Sequence, residues 1–542
     1  MIWRIALPGC MLSMAVALFA SPSSIVSLAE WATWVLGVTL LGCWLVDSLE
    51  LVELLTRRRR SSAASVQSAA MQPFVSLHVP ICSEPPDVVA KTLLALSDLR
   101  YAAYEVIVVD NNTEDERLWR PISHLCRDLG PHFRFYHLPC WPGFKAGALN
   151  FALRQSSPEA TVIGVVDSDY IVDCDYLADL VSYFGDSRIG FVQTPQNYRD
   201  WHTECFGRMC YWEYWQFFAV GMMVRNEYNA ILMHGTMNLV RKRALLDVGE
   251  WAEWCLTEDS ELGLRILSAH YHSVYVPRTY GRGLVPFSYD AFRRQRRRWV
   301  MGGAQILVWH WRLFLPWGGV SRGLSTAQKL RYLQGWMHWI GAAAIVLAMP
   351  MAVALSLAAL VGLARVETLA CLSVGIVSTF LYVIARATLV YRFHLLRSWR
   401  ETMGTTLMIC GLVSTIGRAW LAGLLPVVRP FHRTPKEPLV TAGWITEVRL
   451  ELLVGASLLL LGSADVVWFG PAGLAAAAGL WTCAALLLAT VWTAYVAADE
   501  AGSGAAVAAR VPRAMLPAAG LDKDARAAVT GGRRQQRRDC TD

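Results

Sequence analysis

The sequence predicts an α/β domain inserted between membrane-spanning helices, and three observations support this fold class. The chain has 542 residues, of which 54% are hydrophobic and only 17% charged, so it is too apolar for one soluble domain and too long for a bare helical bundle. Long apolar segments lie on both sides of a more polar middle section. That section, from about Pro73 to Val300, alternates short β-branched runs with helix-like stretches, as α/β sheets do.

Six apolar segments are predicted to cross the membrane, since most of them are close to the ~20 residues that span its hydrocarbon core. They are Ile5–Ala20, Trp31–Val46, Trp336–Leu363, Thr368–Ala385, Leu452–Gly470 and Pro471–Ala497. The first has a signal peptide as its alternative, because Arg4 precedes it and a small residue ends it. Basic residues are retained inside, so the run Arg57–Arg60 places the middle section in the cytoplasm.

A seventh apolar segment, Thr402–Val428, is long enough to span but carries Arg418. If it crossed, Arg429 and the later run "GRRQQRR" would lie outside, so charge favours a helix along the membrane interface. The tail after Ala498 is small, Ala-rich and aperiodic, which predicts disorder.

The predicted organisation therefore has seven parts. They are two N-terminal transmembrane helices (1–60), the α/β domain (73–300), an amphipathic interface segment (301–333), a transmembrane pair (334–390), an interface helix with a loop (391–440), a second transmembrane pair (445–497) and a disordered cytoplasmic tail (498–542).

Charge and cysteine content exclude several classes of function. The formal charge of +7 is modest, and the arginines cluster at the edges of apolar runs, which indicates membrane orientation and argues against a nucleic-acid partner. The thirteen cysteines include no C-x-x-C pair, so neither a disulfide framework nor a zinc site is indicated.

Acidic residues end two of the predicted strands. The runs "YEVIVVD" and "TVIGVVDSD" carry Asp110 and Asp167 where ligands bind in α/β sheets, beyond the carboxyl ends of the strands. Asp167 and Asp169 are spaced i, i+2, which suits a cation such as Mg²⁺ that takes one or two carboxylates plus substrate phosphate oxygens. Ordinary turns, including an Asx turn at Asp110, are the alternative.

Two further motifs have both a functional and a structural interpretation. In "WCLTEDSELGLRI", Thr257 is a reasonable helix N-cap, while Glu258 or Asp259 could accept a hydroxyl proton as general base. In "CWPGFKAGALNFAL", Lys145 lies between glycines at a turn into a helix, which suits a diphosphate but also any exposed lysine.

Together these residues resemble the D, D-x-D, T-E-D, Q-x-x-R-W signature of processive family-2 glycosyltransferases, the family of cellulose, curdlan and hyaluronan synthases. The residues that carry the resemblance are Asp110, Asp167-Ser168-Asp169, Thr257-Glu258-Asp259 and Gln295-x-x-Arg298-Trp299. It covers roughly Trp31 to Ala497, and "VPICSEP", "FKAGALN" and "QTPQNY" are also similar to family motifs, with Ser83 in place of asparagine.

The resemblance implies a GT-A-type, Rossmann-like cytoplasmic glycosyltransferase domain and a role for each matched residue. Glu84 and Asp110 would contact the uridine end of the donor, and Lys145 its diphosphate. Asp169, with Asp167, would hold Mg²⁺, or Mn²⁺ in its place. Asp259, beside Thr257 and Glu258, would be the catalytic base.

The stretch "FRRQRRRWVMGG" would then belong to the site. Gln295 and Arg298 would face the donor diphosphate, and Trp299 would stack on the acceptor sugar, near His234 and Thr236. Its other arginines are predicted to lie near anionic lipid headgroups; they are Arg293, Arg294, Arg296 and Arg297.

The loop "PFHRTPKEP" resembles the gating loop of cellulose synthases. Phe431, Thr434 and Lys436 keep the F-x-V-T-x-K-G spacing, but Arg433 and Glu437 replace valine and glycine. An ordinary basic loop beside the membrane is the alternative.

These features predict an inverting, processive enzyme of the bacterial inner membrane. It would polymerise a hexose, with UDP-glucose favoured as donor, into a β-glucan, extend a growing polysaccharide across the lipid bilayer and pass it to an export partner in the envelope. The linkage is open among β-1,3, β-1,4 and mixed forms. The alternatives are a non-processive enzyme that glycosylates a membrane lipid, and a scaffold subunit with an inactive transferase domain.

Overall fold

The computed structural model describes residues 22–56, 72–202, 204–315, 323–425, 427 and 443–510. Residues 1–498 form one compact unit, and residues 499–542 form a second, of which 499–510 continue the last helix. Three predicted features lie outside the described residues: the first apolar segment, the run Arg57–Arg60 and the gating-like loop with Phe431, Thr434 and Lys436.

The described domain contains a seven-stranded mixed sheet with the order β3-β2-β1-β4-β8-β6-β9, and a three-stranded sheet with the order β5-β10-β7. The strands are β1 Phe74–Ile81, β2 Tyr104–Asn111, β3 Phe133–Leu138, β4 Ala160–Val165, β5 Ile171–Val172, β6 Ile189–Gln193, β7 Asn197–Tyr198, β8 Asn238–Arg241, β9 His272–Tyr275 and β10 Gly281–Gly283. The five short apolar runs that predict strands in the sequence form β1, β2, β3, β4 and β6; they are "FVSLHVPIC", "YEVIVVD", "FRFYHL", "TVIGVVDSD" and "IGFVQT". The later strands β8 and β9 are only four residues long, too short for a clear alternating pattern.

Helices surround the sheet and continue into the apolar half of the chain. They are α1 Pro22–Thr56, α2 Pro86–Ser97, α3 Glu116–Asp128, α4 Phe144–Gln155, α5 Tyr176–Leu180, α6 Cys205–Gln216, α7 Met223–Asn226, α8 Lys242–Asp247, α9 Glu258–Ser268, α10 Tyr289–His310, α11 Thr326–Leu360, α12 Val366–Ala387, α13 Trp399–Gly423, α14 Trp444–Phe469 and α15 Pro471–Arg510. Two π-helical turns, Phe217–Met222 and Thr388–His394, extend α6 and α12.

The central strands place the acidic motifs at one edge of the sheet. Every residue of β2 is buried, as expected for a strand with both sheet faces covered, and β1 lies between β2 and β4 with parallel pairing to each. Ile81 at the end of β1 is in register with Asp110. Since these strands are parallel, Asp110 and Asp167 lie at the same carboxyl edge.

Six helices among the described residues are long and apolar enough to cross a membrane, as in a multi-pass membrane protein. They are Leu28–Glu53, Thr326–Leu360, Val366–His394, Trp399–Gly423, Trp444–Phe469 and Pro471–Ala501. Five of them correspond to predicted crossings. The sixth, α13, contains most of the seventh apolar segment, and its placement along the interface remains a prediction.

Helix bounds differ from two of the predicted boundaries within the described residues. In the predicted interface segment 301–333, α10 continues to His310 and α11 already begins at Thr326. Helix α15 continues past Ala498 to Arg510, and the rest of the tail predicted to be disordered lies outside the described residues.

Charged contacts join the α/β domain to the membrane helices. Glu53 of α1 accepts a hydrogen bond from the Tyr228 hydroxyl at 2.9 Å and pairs with Arg331 of α11. Arg293 of α10 lies 3.5 Å from a carboxylate oxygen of Glu451 in α14. The charge of Arg293 is thus paired within the protein, and its position near lipid headgroups stays a prediction.

Candidate active site

Lys145 and Asp167 form the centre of the site. The Lys145 ammonium donates hydrogen bonds to Asp167 Oδ1 at 2.7 Å and to the Gly235 carbonyl at 2.9 Å. Helix α4 can present Lys145 here because Gly143 before it adopts a φ of 78°, and a Cβ at Gly143 would lie 2.5 Å from Glu253 Oε2. Burial lowers the Lys145 pKa, but nearby carboxylates outweigh it and the net pKa is raised.

Glu258 and Asp259 open helix α9 beside this ion pair. A Cβ on Gly235 would lie 2.9 Å from Lys145 Nζ and 3.1 Å from Asp259 Oδ2, so both side chains meet at this glycine. Burial raises the pKa of both acidic side chains, and the Lys145 charge opposes that rise. Asp259 Oδ1 also accepts a hydrogen bond from the Ser260 N–H at 2.7 Å.

Thr257 occupies the N-cap position of α9, but its side chain makes no capping hydrogen bond. It lies instead against α10, where a Cβ on Gly302 would come 2.2 Å from Thr257 Oγ1. The neighbouring Leu256 N–H donates to Gln305 Oε1 at 3.1 Å. Close contact with α10, not capping, therefore fixes the turn that carries Glu258 and Asp259.

Arg298 projects from α10 toward the same carboxylates. Burial lowers the Arg298 pKa, and the charges of Glu258, Asp167 and Asp259 oppose that effect. The fold thus brings together five of the predicted charged residues, which we call the charged cluster: Lys145, Asp167, Glu258, Asp259 and Arg298.

The turn after β4 is held by its neighbours. Asp169 is buried, and its Oδ2 accepts a hydrogen bond from the Leu284 N–H at 2.9 Å. The Asp167 N–H donates to Thr236 Oγ1 at 2.9 Å. Thr236 is 1% exposed, and its hydroxyl holds this turn; its role at the acceptor stays a prediction.

Asp110 is buried at the end of β2, on the other side of β1 from this turn. It accepts a hydrogen bond from the Thr113 hydroxyl at 2.6 Å and bonds His137 Nδ1 at 2.7 Å. Burial raises its pKa, and these two hydrogen bonds oppose the rise. Thr113 also accepts from the Ser83 N–H at 2.7 Å, which ties the loop of buried Glu84 to Asp110.

Aromatic side chains surround Trp299, the residue predicted to stack on the acceptor sugar. The Trp299 ring stacks on Tyr214 of α6 with centroids 5.4 Å apart and planes 27° from parallel. Burial raises the Tyr214 pKa, and the charges of Asp167 and Asp259 also raise it. We call Trp299 and Tyr214 the stacked pair.

The remaining arginines of α10 differ in burial and in their ion pairs. Arg296 is buried and paired with Glu213, so its predicted place near lipid headgroups is wrong. Arg294 is exposed and bonds Asp290 at 2.6 Å, and Arg297 is exposed. Gln295 is half-buried and accepts a hydrogen bond from Arg296.

His234, predicted at the acceptor side, is partly buried next to the rings of Phe217 and Phe218. Its Nδ1 lies 2.9 Å from the Leu232 carbonyl oxygen, and its backbone N–H donates to Gln193 Oε1 at 2.8 Å. Burial lowers the His234 pKa to about 4, so the imidazole is neutral at neutral pH.

Sequence reasoning missed several residues that position the site. Asn150 donates to the Trp251 carbonyl and to Glu253 Oε1, and accepts from the Trp251 N–H, which anchors the loop before Thr257. The motif "FKAGALN" could have indicated Asn150, and the aromatic run "YWEYWQFF" could have indicated Tyr214. Nothing in the sequence distinguished Gly235 from other glycines.

Comparison with known proteins agrees with this geometry. Residues 73–302 match the family described as "Glycosyltransferase like family 2". Over 320 residues the chain is 26% identical to a cellulose synthase catalytic subunit [UDP-forming] of Xanthomonas axonopodis pv. citri, covering 56% of this chain and 41% of the relative. Over 233 residues it is 27% identical to a poly-β-1,6-N-acetyl-D-glucosamine synthase of Staphylococcus epidermidis, covering 42% of this chain and 54% of the relative. The chain spans about half the length of these curated relatives.

A solved structure has the same fold. The mannosyltransferase PcManGT from Pyrobaculum calidifontis, in complex with GDP-Man and Mn²⁺, superposes with a TM-score of 0.51 at 18% identity, over 73% of this chain and 99% of that one. This likeness confirms the predicted GT-A-type fold, and the family match confirms the family that the motifs indicated. The chain therefore carries a family-2 glycosyltransferase domain of GT-A fold, joined to helices apolar enough to cross a membrane.

Proposed function

We propose that the chain is a membrane-embedded, inverting and processive β-glycosyltransferase. It takes a UDP-sugar on the cytoplasmic side and passes the growing polysaccharide through its own helices. The observation that carries this proposal is the charged cluster, in which two cations and three carboxylates meet beside the stacked pair Trp299 and Tyr214.

The cluster contains the groups that transfer of a sugar from a nucleotide requires. Lys145 and Arg298 place fixed positive charge where a departing diphosphate needs it. Asp259 is the residue proposed to take the proton of the attacking hydroxyl as general base. One base and one displacement invert the configuration, so an α-linked donor gives a β-linked product.

The acidic turn after β4 fits a divalent cation. Asp169 is fixed by the Leu284 N–H, while the Asp167 side chain remains 35% exposed beside it. Two carboxylates plus substrate phosphate oxygens suit Mg²⁺, and Mn²⁺ accepts the same ligands. Asp169 and Asp167 would hold the ion, which when bound would supply further positive charge to the diphosphate.

Glu84 and Asp110 are the proposed contacts for the uridine end of the donor. They belong to neighbouring loops that Thr113 joins through hydrogen bonds to Ser83 and Asp110. Gln295, one turn before Trp299 on α10, would complete the diphosphate side.

The acceptor side supports a polymer product. The flat indole of Trp299 offers a pyranose an apolar surface, and six helices could enclose a path across the membrane. Both curated relatives are named as synthases of polymers, one of cellulose and one of poly-N-acetylglucosamine. UDP-glucose is our favoured donor, and UDP-N-acetylglucosamine is the second candidate because of the second relative's name.

The deciding experiment uses inverted membrane vesicles that contain the full chain. Labelled UDP-glucose and UDP-N-acetylglucosamine are supplied in parallel, with Asp259→Asn as the inactive control and with EDTA followed by Mg²⁺ or Mn²⁺ to test for the cation. Ethanol-insoluble product made only by the wild type, then cut by linkage-specific hydrolases, would support the polymerase and identify both sugar and linkage. Label found only in the lipid extract would favour the lipid-glycosylating alternative, and equal signal from Asp259→Asn would contradict both.

A further inference from the structure

Arg296 is a cation enclosed by aromatic rings within the domain. Its guanidinium carbon lies 4.2 Å from the Trp299 ring centre, 4.4 Å from that of Phe292 and 5.3 Å from that of Tyr214. Only 4% of the residue is exposed. Keeping a charge out of water at such a site is costly unless hydrogen bonds and an opposite charge satisfy it.

Glu213 of helix α6 supplies that opposite charge. Arg296 Nε lies 3.1 Å from each Glu213 carboxylate oxygen, and Nη2 also donates to Oε2. The third nitrogen, Nη1, donates to Gln295 Oε1 at 2.7 Å. The guanidinium thus joins a carboxylate of α6 to the side chains of Gln295 and Trp299 on α10.

We propose that Arg296, held by Glu213, is a positioning residue that fixes the Trp299 indole and so determines how tightly the end of the acceptor chain binds. This inference rests on the proposed function, because it concerns the acceptor side of that site. A guanidinium is planar and donates in a fixed fork, so it can hold Glu213, Gln295 and the Trp299 ring in one arrangement. Lysine carries the same charge but cannot reproduce that fork.

The two sides of the site should respond unequally. Arg296 contacts the stacked pair, Phe292, Gln295 and Glu213, whereas Lys145 and Asp259 meet at Gly235. Loosening Arg296 should therefore weaken acceptor binding more than it slows the chemical step. A structural defect alone would instead lower the amount of active enzyme and leave the acceptor KM unchanged.

The test measures elongation of a soluble β-linked oligosaccharide by the full chain in detergent at saturating donor. We expect Arg296→Lys and Glu213→Gln each to raise the acceptor KM by roughly three- to fivefold, within the effect of one lost hydrogen bond, and to lower kcat less than about twofold. Arg297→Lys is the matched control, because Arg297 is the exposed neighbour in the same run, and its acceptor KM should stay within twofold of the wild type. The double variant should be no worse than the poorer single variant, since both changes break one unit.

Several results would overturn this role. One is a lowered kcat with an unchanged acceptor KM, and another is an equal effect from Arg297→Lys. A third is failure of both variants to fold in a thermal unfolding assay. Each would mean that Arg296 and Glu213 only stabilise the fold. Failure of the proposed function is a separate result, because wild-type enzyme would then transfer sugar to none of the oligosaccharides, and the positioning role would fall with it.

Discussion

The proposed donor side and the proposed acceptor side of this site, called below the donor side and the acceptor side, are built from different kinds of contact. On the donor side, charged groups hold one another, with Lys145 bonded to Asp167 and next to Asp259 around a single glycine. On the acceptor side, Trp299 and Tyr214 meet through their ring faces. Charge pairs fix atoms where charge develops, whereas a ring face can hold successive sugars without a unique hydrogen-bond partner. In the proposed enzyme, the groups that perform the chemistry are therefore held rigidly, whereas the surface for the polymer tolerates different positions of the sugar.

The largest expected effect tests whether the donor side contains the base. Asp259→Asn should lower kcat by roughly 10²- to 10⁴-fold, because the amide keeps the shape of the side chain but cannot accept the proton. The measurement is initial rate of sugar incorporation in vesicles. Asp290→Asn is the matched control, since Asp290 bonds Arg294 away from the cluster. Activity of Asp259→Asn near that of the control would remove Asp259 from the chemistry.

The next effect tests how closely Lys145 and Asp259 pack against Gly235 on the donor side. Gly235→Ala would place a Cβ 2.9 Å from Lys145 Nζ and 3.1 Å from Asp259 Oδ2. Both atoms end flexible side chains, so they can move and the fold should persist, but displacing them should lower activity by about 100-fold.

Activity and thermal unfolding are both measured for Gly235→Ala. Gly341→Ala is the control, because the nearest atom to its Cβ would be Cys43 Cβ at an ordinary 3.8 Å. If Gly235→Ala lost stability in proportion to activity, the glycine would be a packing residue only.

The two sides also differ in how far the sequence could predict them. The charged residues belong to ordered motifs, so Lys145, Asp167 and Asp259 were all identified, and the five longer apolar runs gave the strands that position them. Their approach to one another depends on Gly235, which no local pattern marks. A single sequence shows which groups could react, but the spacing of distant turns is fixed only by tertiary packing.

The acceptor side was harder to predict, because the positive charge of its arginines was taken to indicate the membrane interface. Four arginines of α10 were assigned together to the membrane interface, yet Arg296 is 4% exposed and pairs with Glu213. Arg296 and the exposed Arg297 are consecutive residues, and one residue step along a helix rotates the side chain by about 100°, which is enough to send one inward and the other outward. Periodicity identifies faces, but it does not show that another helix brings a carboxylate to meet one of them.

A smaller effect tests the tolerance of the acceptor side. Trp299→Ala should raise the acceptor KM roughly 5- to 10-fold through loss of ring stacking, while Trp299→Phe should recover part of that loss. Both are measured by acceptor titration and by the length distribution of the products. Shorter chains from Trp299→Ala would support a stacking platform; a loss of kcat with normal product length would place Trp299 on the donor side instead.

The smallest effect concerns pH and the link between the two acidic residues of α9. Burial raises the pKa of Glu258 and Asp259, so a base in this pair loses its charge at a higher pH than an exposed carboxylate would. Activity should therefore be present above that raised pKa and fall as pH decreases through it.

Lys145 opposes the rise in pKa, so in Lys145→Met the residual kcat should fall at a still higher pH, whereas Lys145→Arg should keep the wild-type profile. Because the two acids titrate as a pair, the kcat profile reports their joint behaviour. An acid limb that Lys145→Met leaves in place would mean that the titrating group lies outside the charged cluster, and the donor side would then be less tightly coupled than its geometry indicates.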